Sequence, residues 1–250
     1  MSTALLAPPV TAPGDVDAAL RERGRAVLDA DGLLSLLGAQ SGAFDGWHPY
    51  WHRLPPDRHL RDGGSYRHRR HASFVVEGDS VRAVAHRAHW QPVEYNALHG
   101  GIERWFEALE PAMLGEPMWS RLLVMLAQRA DVLRGRQPWF VEAHPFRIDT
   151  AAGIGRPTPE GAHRDGVDLV AVLLVARQGV KGGETRIFEA DGPAGMRFTL
   201  CQPWTTLLLD DARVIHETTP IQPVDEAAPG YRDTLVVTLR AGGFQGPSPA

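Results

Sequence analysis

The chain contains one cysteine, Cys201, and one lysine, Lys181, in 250 residues. A single thiol excludes an intrachain disulfide and a paired-cysteine metal site, and gives no sign of an oxidising compartment. Lys181 is followed by Gly182-Gly183, so it is not the lysine of a phosphate-binding loop, which needs Ser or Thr next. Schiff-base chemistry would have to rest on this one residue. No Gly-x-Ser-x-Gly elbow is present, and no apolar run approaches the roughly 20 residues of a membrane span. Excess positive charge is also missing: at a formal net charge of -4, neither nucleic acid nor an anionic membrane is expected as partner. Residues 1 to 14 lack a basic leader and read as a flexible tail, not a signal peptide, which makes a cytoplasmic protein the default.

What is present is an ordinary globular composition, 43% hydrophobic and 22% charged, enough for a single domain over residues 15–250. Helix signals dominate the first half. Val16, Ala19, Leu20, Val27 and Leu28 predict a helix from Asp15 that ends near Gly32, and further helices are predicted over 95–109 and 117–133. A hairpin around Gly78-Asp79 joins 74–77 to 81–85. From Trp139 the texture changes to short β-branched runs divided by Gly, Pro and Asp, predicting strands near 139–149, 167–176, 185–189, 197–200, 205–209, 213–216 and 232–240. Helices followed by strands indicate an α+β chain, with a helical layer mainly over 15–135 and a jelly-roll-like barrel core mainly over 138–242.

Eight of the eleven histidines precede residue 100, so a metal assignment must select among them. Spacing singles out Pro159-Glu160-Gly161-Ala162-His163-Arg164-Asp165-Gly166, which holds the chain's only His-x-Asp. Two residues apart on a strand, these side chains share a face. His216, closing a later strand, can complete a two-histidine, one-carboxylate triad, a donor set that suits non-haem iron(II) and leaves positions open. Random placement gives roughly one His-x-Asp in such a chain; the order of the motifs C-terminal to it carries the weight. Arg232 and Thr234 share a strand face, and a guanidinium fork with a hydroxyl is what a buried carboxylate requires. His86 with His89, and His48 with His52, have helical spacing but no acidic partner as in a zinc-protease motif, so a second metal site is not expected.

Taken in order, these motifs, with Gly182-Gly183-Glu184-Thr185, Leu209-Asp210-Asp211, Thr218-Thr219-Pro220-Ile221 and Tyr231-Arg232-Asp233, resemble the iron(II)- and 2-oxoglutarate-dependent dioxygenases. Within them the chain is most similar to the bacterial family typified by L-isoleucine 4-hydroxylase, which acts on free amino acids. The resemblance is strongest over 139–240. It implies a double-stranded β-helix (cupin-like) barrel with flanking helices, Fe(II) on His163, Asp165 and His216, and the distal carboxylate of 2-oxoglutarate on Arg232 with Thr234, Arg240 being the fallback. It further implies that 2-oxoglutarate and O2 are turned into succinate and CO2 while an unactivated C–H bond is hydroxylated or closed into a ring, in specialised metabolism.

A zwitterionic amino acid needs a cation for its carboxylate and an anion for its ammonium. Arg147 and Arg164 are candidates for the first, Glu160 and Asp168 for the second, and Trp51, Phe146 and Trp204 are candidate walls for an aliphatic side chain. The small-molecule substrate is then the partner, and the protein a monomer or homodimer. Two other classes remain open: a cupin-like metal-dependent isomerase or hydrolase that does not use 2-oxoglutarate, and a metabolite-binding β-barrel.

Overall fold

A computed structural model describes residues 5–247. A 3-10 turn, Pro13–Asp15, leads into α1 (Val16–Arg23), β1 (Arg25–Leu28) and α2 (Ala30–Leu37). After the short α3 (His48–Trp51) come β2 (Arg67–Arg69), β3 (Ala72–Glu77), β4 (Ser80–Ala83), α4 (Pro111–Leu114) and α5 (Pro117–Arg134). The remaining elements are strands: β5 (Trp139–Asp149), β6 (Leu169–Gln178), β7 (Val180–Gly182), β8 (Thr185–Glu189), β9 (Gly195–Phe198), β10 (Thr206–Asp210), β11 (Val214–Thr218), β12 (Ile221–Pro223) and β13 (Tyr231–Arg240).

The major sheet runs β1-β10-β6-β13-β5-β3-β4, with β2 also paired to β5; β11-β8-β9 and β12-β7 form two smaller sheets. The pairings are antiparallel, and the chain has the expected α+β architecture of a double-stranded β-helix flanked by helices. Strand alternation divides its faces. On β13, Leu235, Val237 and Leu239 enter a core shared with α1, α2 and α5, where they meet Leu20, Leu33 and Trp119. Arg232, Thr234, Val236 and Thr238 point the other way, into the barrel. One half of that interior is closed by a second core in which Val170 and Leu174 of β6 pack on Ile187, Phe198 and Val214. The other half is left as a polar cavity.

α5 forms because Pro117 fills its first position behind the extended Glu116 and because Trp119, Leu122, Leu123, Leu126 and Ala130 recur at helical spacing on the buried face. The expected helix from Asp15 to Gly32 is two helices and a strand. Gly24, at φ 66°, ends α1, and residues 25–28 pair with β10 as an edge strand; α2 then starts from a new cap, where Asp29 accepts a hydrogen bond from Gly32 N at 2.8 Å. The expected helix over 95–109 is absent. Here the chain is irregular, Gly100 is packed against the backbone at Asn96, and Arg104 makes a β-bridge to His89. Residues 5–14 are not free: Thr11 N donates to Val27 O at 2.7 Å and Thr199 N to Leu6 O at 2.8 Å, which ties this stretch to β1 and to the loop after β9. The first four residues of the expected tail lie outside the described residues.

Candidate metal centre and its cavity

The segment 159–166 is a series of turns and not part of β6, which begins only at Leu169. His163 instead joins the barrel as a single rung. Its N–H donates to His216 O at 3.0 Å, and His216 N–H donates back to His163 O at 2.9 Å. Opposed residues of such an antiparallel pair project to the same side, and the two imidazole centroids lie 4.7 Å apart. Asp165 completes the group, with Oδ1 at 3.9 Å from His163 Nε2 and Oδ2 at 3.7 Å from His216 Nε2. One donor atom from each of the three lies within 4.8 Å of the others, a spacing that a single small cation can collect.

The rings are prepared for that role. His163 Nδ1 donates to Gly161 O at 2.9 Å, so Nε2 is the nitrogen that faces the carboxylate. Burial, with the neighbouring His163, pushes His216 down to about 3, which keeps this imidazole neutral and able to ligate. For His163 burial works downward, but the carboxylates of Asp165 and Glu160 prevail and hold its pKa above the ordinary value. The loop is fixed by Asp211, fully buried, whose carboxylate accepts from the backbone N–H groups of Asp165, Gly166 and Val167 at 3.0, 2.7 and 3.1 Å. Gln91 donates to Asp165 Oδ1 at 3.1 Å and is itself oriented by Arg104 and Asn96, which donate to its Oε1 at 2.7 and 3.1 Å.

The triad opens into a cavity of about 130 Å³ that also contains Arg232 and Thr234. Arg232 is 3% exposed, and its Nε and Nη2 have no partner. Burial, with Arg177 nearby, pulls its pKa down to about 10, so it stays charged and lacks a counter-ion. An orphaned buried guanidinium beside a metal-ligand group fits the distal carboxylate of a dicarboxylate. The Gly182-Gly183 pair serves the same corner: Gly183, at φ 68°, passes so close to Arg177 Nη1 that a Cβ would lie 2.8 Å from it, while Arg177 donates to Gly182 O at 2.7 Å.

Of the other expected site residues, Glu160 and Phe146 line the cavity. Glu160 Oε1 lies 3.5 Å from His163 Nε2, and its Oε2 is buried without a partner. Arg147, Arg164 and Asp168 do not line it. Arg147 projects from the opposite face of β5 and clasps Asp233 through two bonds of 2.8 and 2.6 Å. Arg164 turns away to donate to Asp211 O at 2.6 Å. Asp168 is bound to Arg134 at 3.0 Å and to Ala241 N at 2.8 Å. Arg240 donates to Gly243 O and lies outside the cavity that Arg232 lines. Trp51 is core, donating to Thr234 O at 3.1 Å, and Trp204 stacks on Phe44 at 4.3 Å.

A second group with metal-like spacing, His71, His89, Glu142 and His144, is buried, and all but His71 line another part of the cavity. Its carboxylate and one ring are engaged by arginines: Glu142 accepts from His71, His89 and Arg87 at 3.0, 3.3 and 2.9 Å, and Arg69 donates to His144 Nδ1 at 2.6 Å, while His71 Nδ1 and His144 Nε2 have no partner among the described residues. We read it as a hydrogen-bonded network, because a metal would have to displace two guanidinium contacts. Sequence spacing could not find it, because its members come from three separate segments.

A jelly-roll barrel with a two-histidine, one-carboxylate group facing an unpaired buried arginine defines a class, the 2-oxoglutarate-dependent non-haem iron dioxygenases. The family model for 2OG-Fe dioxygenases matches residues 48–238; the chain belongs to this family, whose members use Fe(II), 2-oxoglutarate and O2. A bsmA homolog from Methylobium petroleophilum PM1 is 55% identical, with a TM-score of 0.91 over 97% of this chain and 98% of that one. IDO from Bacillus thuringiensis shares the fold at 18% identity, TM-score 0.69, covering 94% and 100% of the two chains. The Fe(II)/α-ketoglutarate-dependent dioxygenase TqaL does so at 17% identity, TM-score 0.68, covering 94% and 90%. No curated protein matches the chain. Among the described residues no helix is long and apolar enough to cross a membrane.

Proposed function

We propose that the protein is an oxygenase of an unactivated C–H bond in a free, mainly aliphatic amino acid or a close derivative, in the group typified by L-isoleucine 4-hydroxylase, and that it serves specialised metabolism. His163, Asp165 and His216 hold Fe(II), while Arg232 with Thr234 holds the distal carboxylate of 2-oxoglutarate. The observation that carries the reading is the unpartnered, 3% exposed Arg232 in one cavity with the triad; an isomerase or hydrolase using the same three ligands would have no need of it.

Bound Fe(II), with 2-oxoglutarate and O2, supplies the oxidising power for C–H cleavage and yields succinate and CO2. The chain supplies position. Asp211 fixes the Asp165 backbone, the His163–His216 rung sets the two rings on one side, and Gln91 orients the Asp165 carboxylate. Val172, Val236 and Phe146 give the cavity an apolar side that keeps water from the reacting carbon. Glu160, with one oxygen unpartnered and buried, receives the substrate's ammonium. The partner is the small molecule; nucleic acid and membrane have no part in the reading. Screening L-amino acids for substrate-stimulated succinate release tests it: at least one aliphatic amino acid should raise release well above the uncoupled rate, and a flat response across the panel would sink the substrate class.

A further inference from the structure

The cavity has a cationic wall that the co-substrate does not use. Arg67 and Arg69 leave β2 on the cavity side, whereas His68 between them turns to Asp149. Arg104 joins them through the bridge to His89. Arg69 lies between two aromatic rings, its guanidinium carbon 3.8 Å from the centroid of Phe106 and 4.3 Å from that of Phe146. Arg67 flanks Phe146 and Arg104 flanks Phe106, each at 6.0 Å. Three guanidinium groups are thus gathered about two rings, all of them buried, at 6%, 4% and 2% exposure.

Their partners do not balance them. Asp57 accepts from Arg67 Nε at 2.7 Å and sits 4.0 Å from Arg69 Nη1. The other contacts are neutral: Arg69 to His144 Nδ1, and Arg104 to Gln91 Oε1. Glu142 is already shared among Arg87, His71 and His89. Arg67 Nη2, Arg69 Nε and Arg104 Nε are buried with no partner. Burial and mutual repulsion pull Arg69 well below the ordinary arginine value and Arg104 down to about 10. A buried cation without an acceptor is strongly disfavoured, and stacking on a ring face leaves only the guanidinium edge to make hydrogen bonds. These three edges call for an anion with several acceptor positions.

We propose that Arg67, Arg69 and Arg104 form the carboxylate subsite for the primary substrate, separate from the 2-oxoglutarate arginine Arg232. This rests on the oxygenase reading and replaces the sequence candidates Arg147 and Arg164. The subsite is tied to the metal group by two hydrogen bonds in series, Arg104 to Gln91 and Gln91 to Asp165. A substrate carboxylate held there shares one cavity with the triad, and Glu160 offers an anion to an ammonium in the same cavity. The arginines read the acid end of the molecule.

The test uses the full chain loaded anaerobically with Fe(II) and 2-oxoglutarate. L-amino acids and their carboxamides are titrated in, and binding is read from the visible charge-transfer band and from tryptophan fluorescence. At least one acid should bind, with its carboxamide roughly 100-fold weaker or worse, because the amide leaves the guanidinium edges unmatched. R69Q, whose arginine touches neither the triad nor Gln91, should weaken that acid by a similar factor while the affinity for 2-oxoglutarate moves less than roughly threefold, and one equivalent of 2-oxoglutarate should bind per iron. Equal binding of acid and amide, or no acid binding, would overturn the subsite; both are read on the unsubstituted protein, so misfolding of a variant does not blunt them. A second equivalent of 2-oxoglutarate lost in R69Q would also overturn it, by giving the arginines to the co-substrate. Failure of the band to form with 2-oxoglutarate alone would instead sink the oxygenase reading, and this subsite with it.

Discussion

The Asp211 carboxylate accepts a hydrogen bond from the backbone N–H of Asp165 at 3.0 Å, and the same group takes the next two N–H groups of the loop. One buried side chain thereby holds the whole turn that carries two of the three candidate ligands. Burial, with Asp165 beside it, raises the Asp211 pKa, so its acceptor role is held against a cost. Asp211→Ala should therefore weaken Fe(II) binding by about 10- to 100-fold with the ligands themselves intact, as measured by anaerobic metal titration. Unchanged iron affinity would mean that the loop is held by other contacts.

Much of the fold is legible in the sequence, and so is the group His163, Asp165 and His216 that the structure brings together. The strands from β5 onward announced themselves through β-branched runs between Gly, Pro and Asp, and the order of His163, Asp165, His216 and Arg232 carried the site. What was hidden depends on distance in sequence. Gln91 and Arg104 lie in an irregular segment with no periodicity, and their relation to Asp165 exists only after folding. Arg67 and Arg69 sit in the short basic run 67–71, whose composition carries no sign of burial; their burial follows from the pairing of β2 with β5. Arg147 lies outside the cavity for a parity reason: neighbours on a strand face opposite ways, and Phe146 and Ile148, not Arg147, face the cavity.

Arg232→Ala should raise the apparent KM for 2-oxoglutarate by about two orders of magnitude, the loss expected when a buried charged hydrogen-bonding partner is removed. Arg240→Ala should leave it unchanged, because Arg240 bonds to Gly243 O outside the cavity. Initial-rate measurements at varied 2-oxoglutarate separate the two.

Arg147→Ala should reduce stability without altering substrate affinity. Asp233 is fully buried, and Arg147 is its bidentate partner at 2.8 and 2.6 Å. Leaving that carboxylate unpaired costs about 3 kcal/mol, visible as a lower urea midpoint. A KM effect for the primary substrate with unaltered stability would return Arg147 to the binding site.

Stability should fall as pH is lowered from about 6.5 toward 4. His99 is pushed down to about 4, mainly by burial and then by Arg67, and His89 to about 3 by burial. His99 Nε2 accepts from Arg61 N at 3.3 Å, which requires a neutral ring. In that window the unfolded chain binds protons at these rings and the folded chain does not, so the unfolded state gains with acid. The stabilisation is complete above the ordinary histidine value and diminishes until the folded pKa is reached. His99→Gln should flatten the slope of thermal midpoint against pH; a slope identical to that of the unsubstituted protein would contradict the assignment.

The most direct measurement is the visible spectrum of the anaerobic protein with Fe(II) and 2-oxoglutarate. A weak charge-transfer band should appear in the unsubstituted protein, persist in Arg147→Ala and vanish in His163→Ala and Asp165→Ala. No band in the unsubstituted protein, or a full band in His163→Ala, would contradict the assignment of the iron centre to His163, Asp165 and His216.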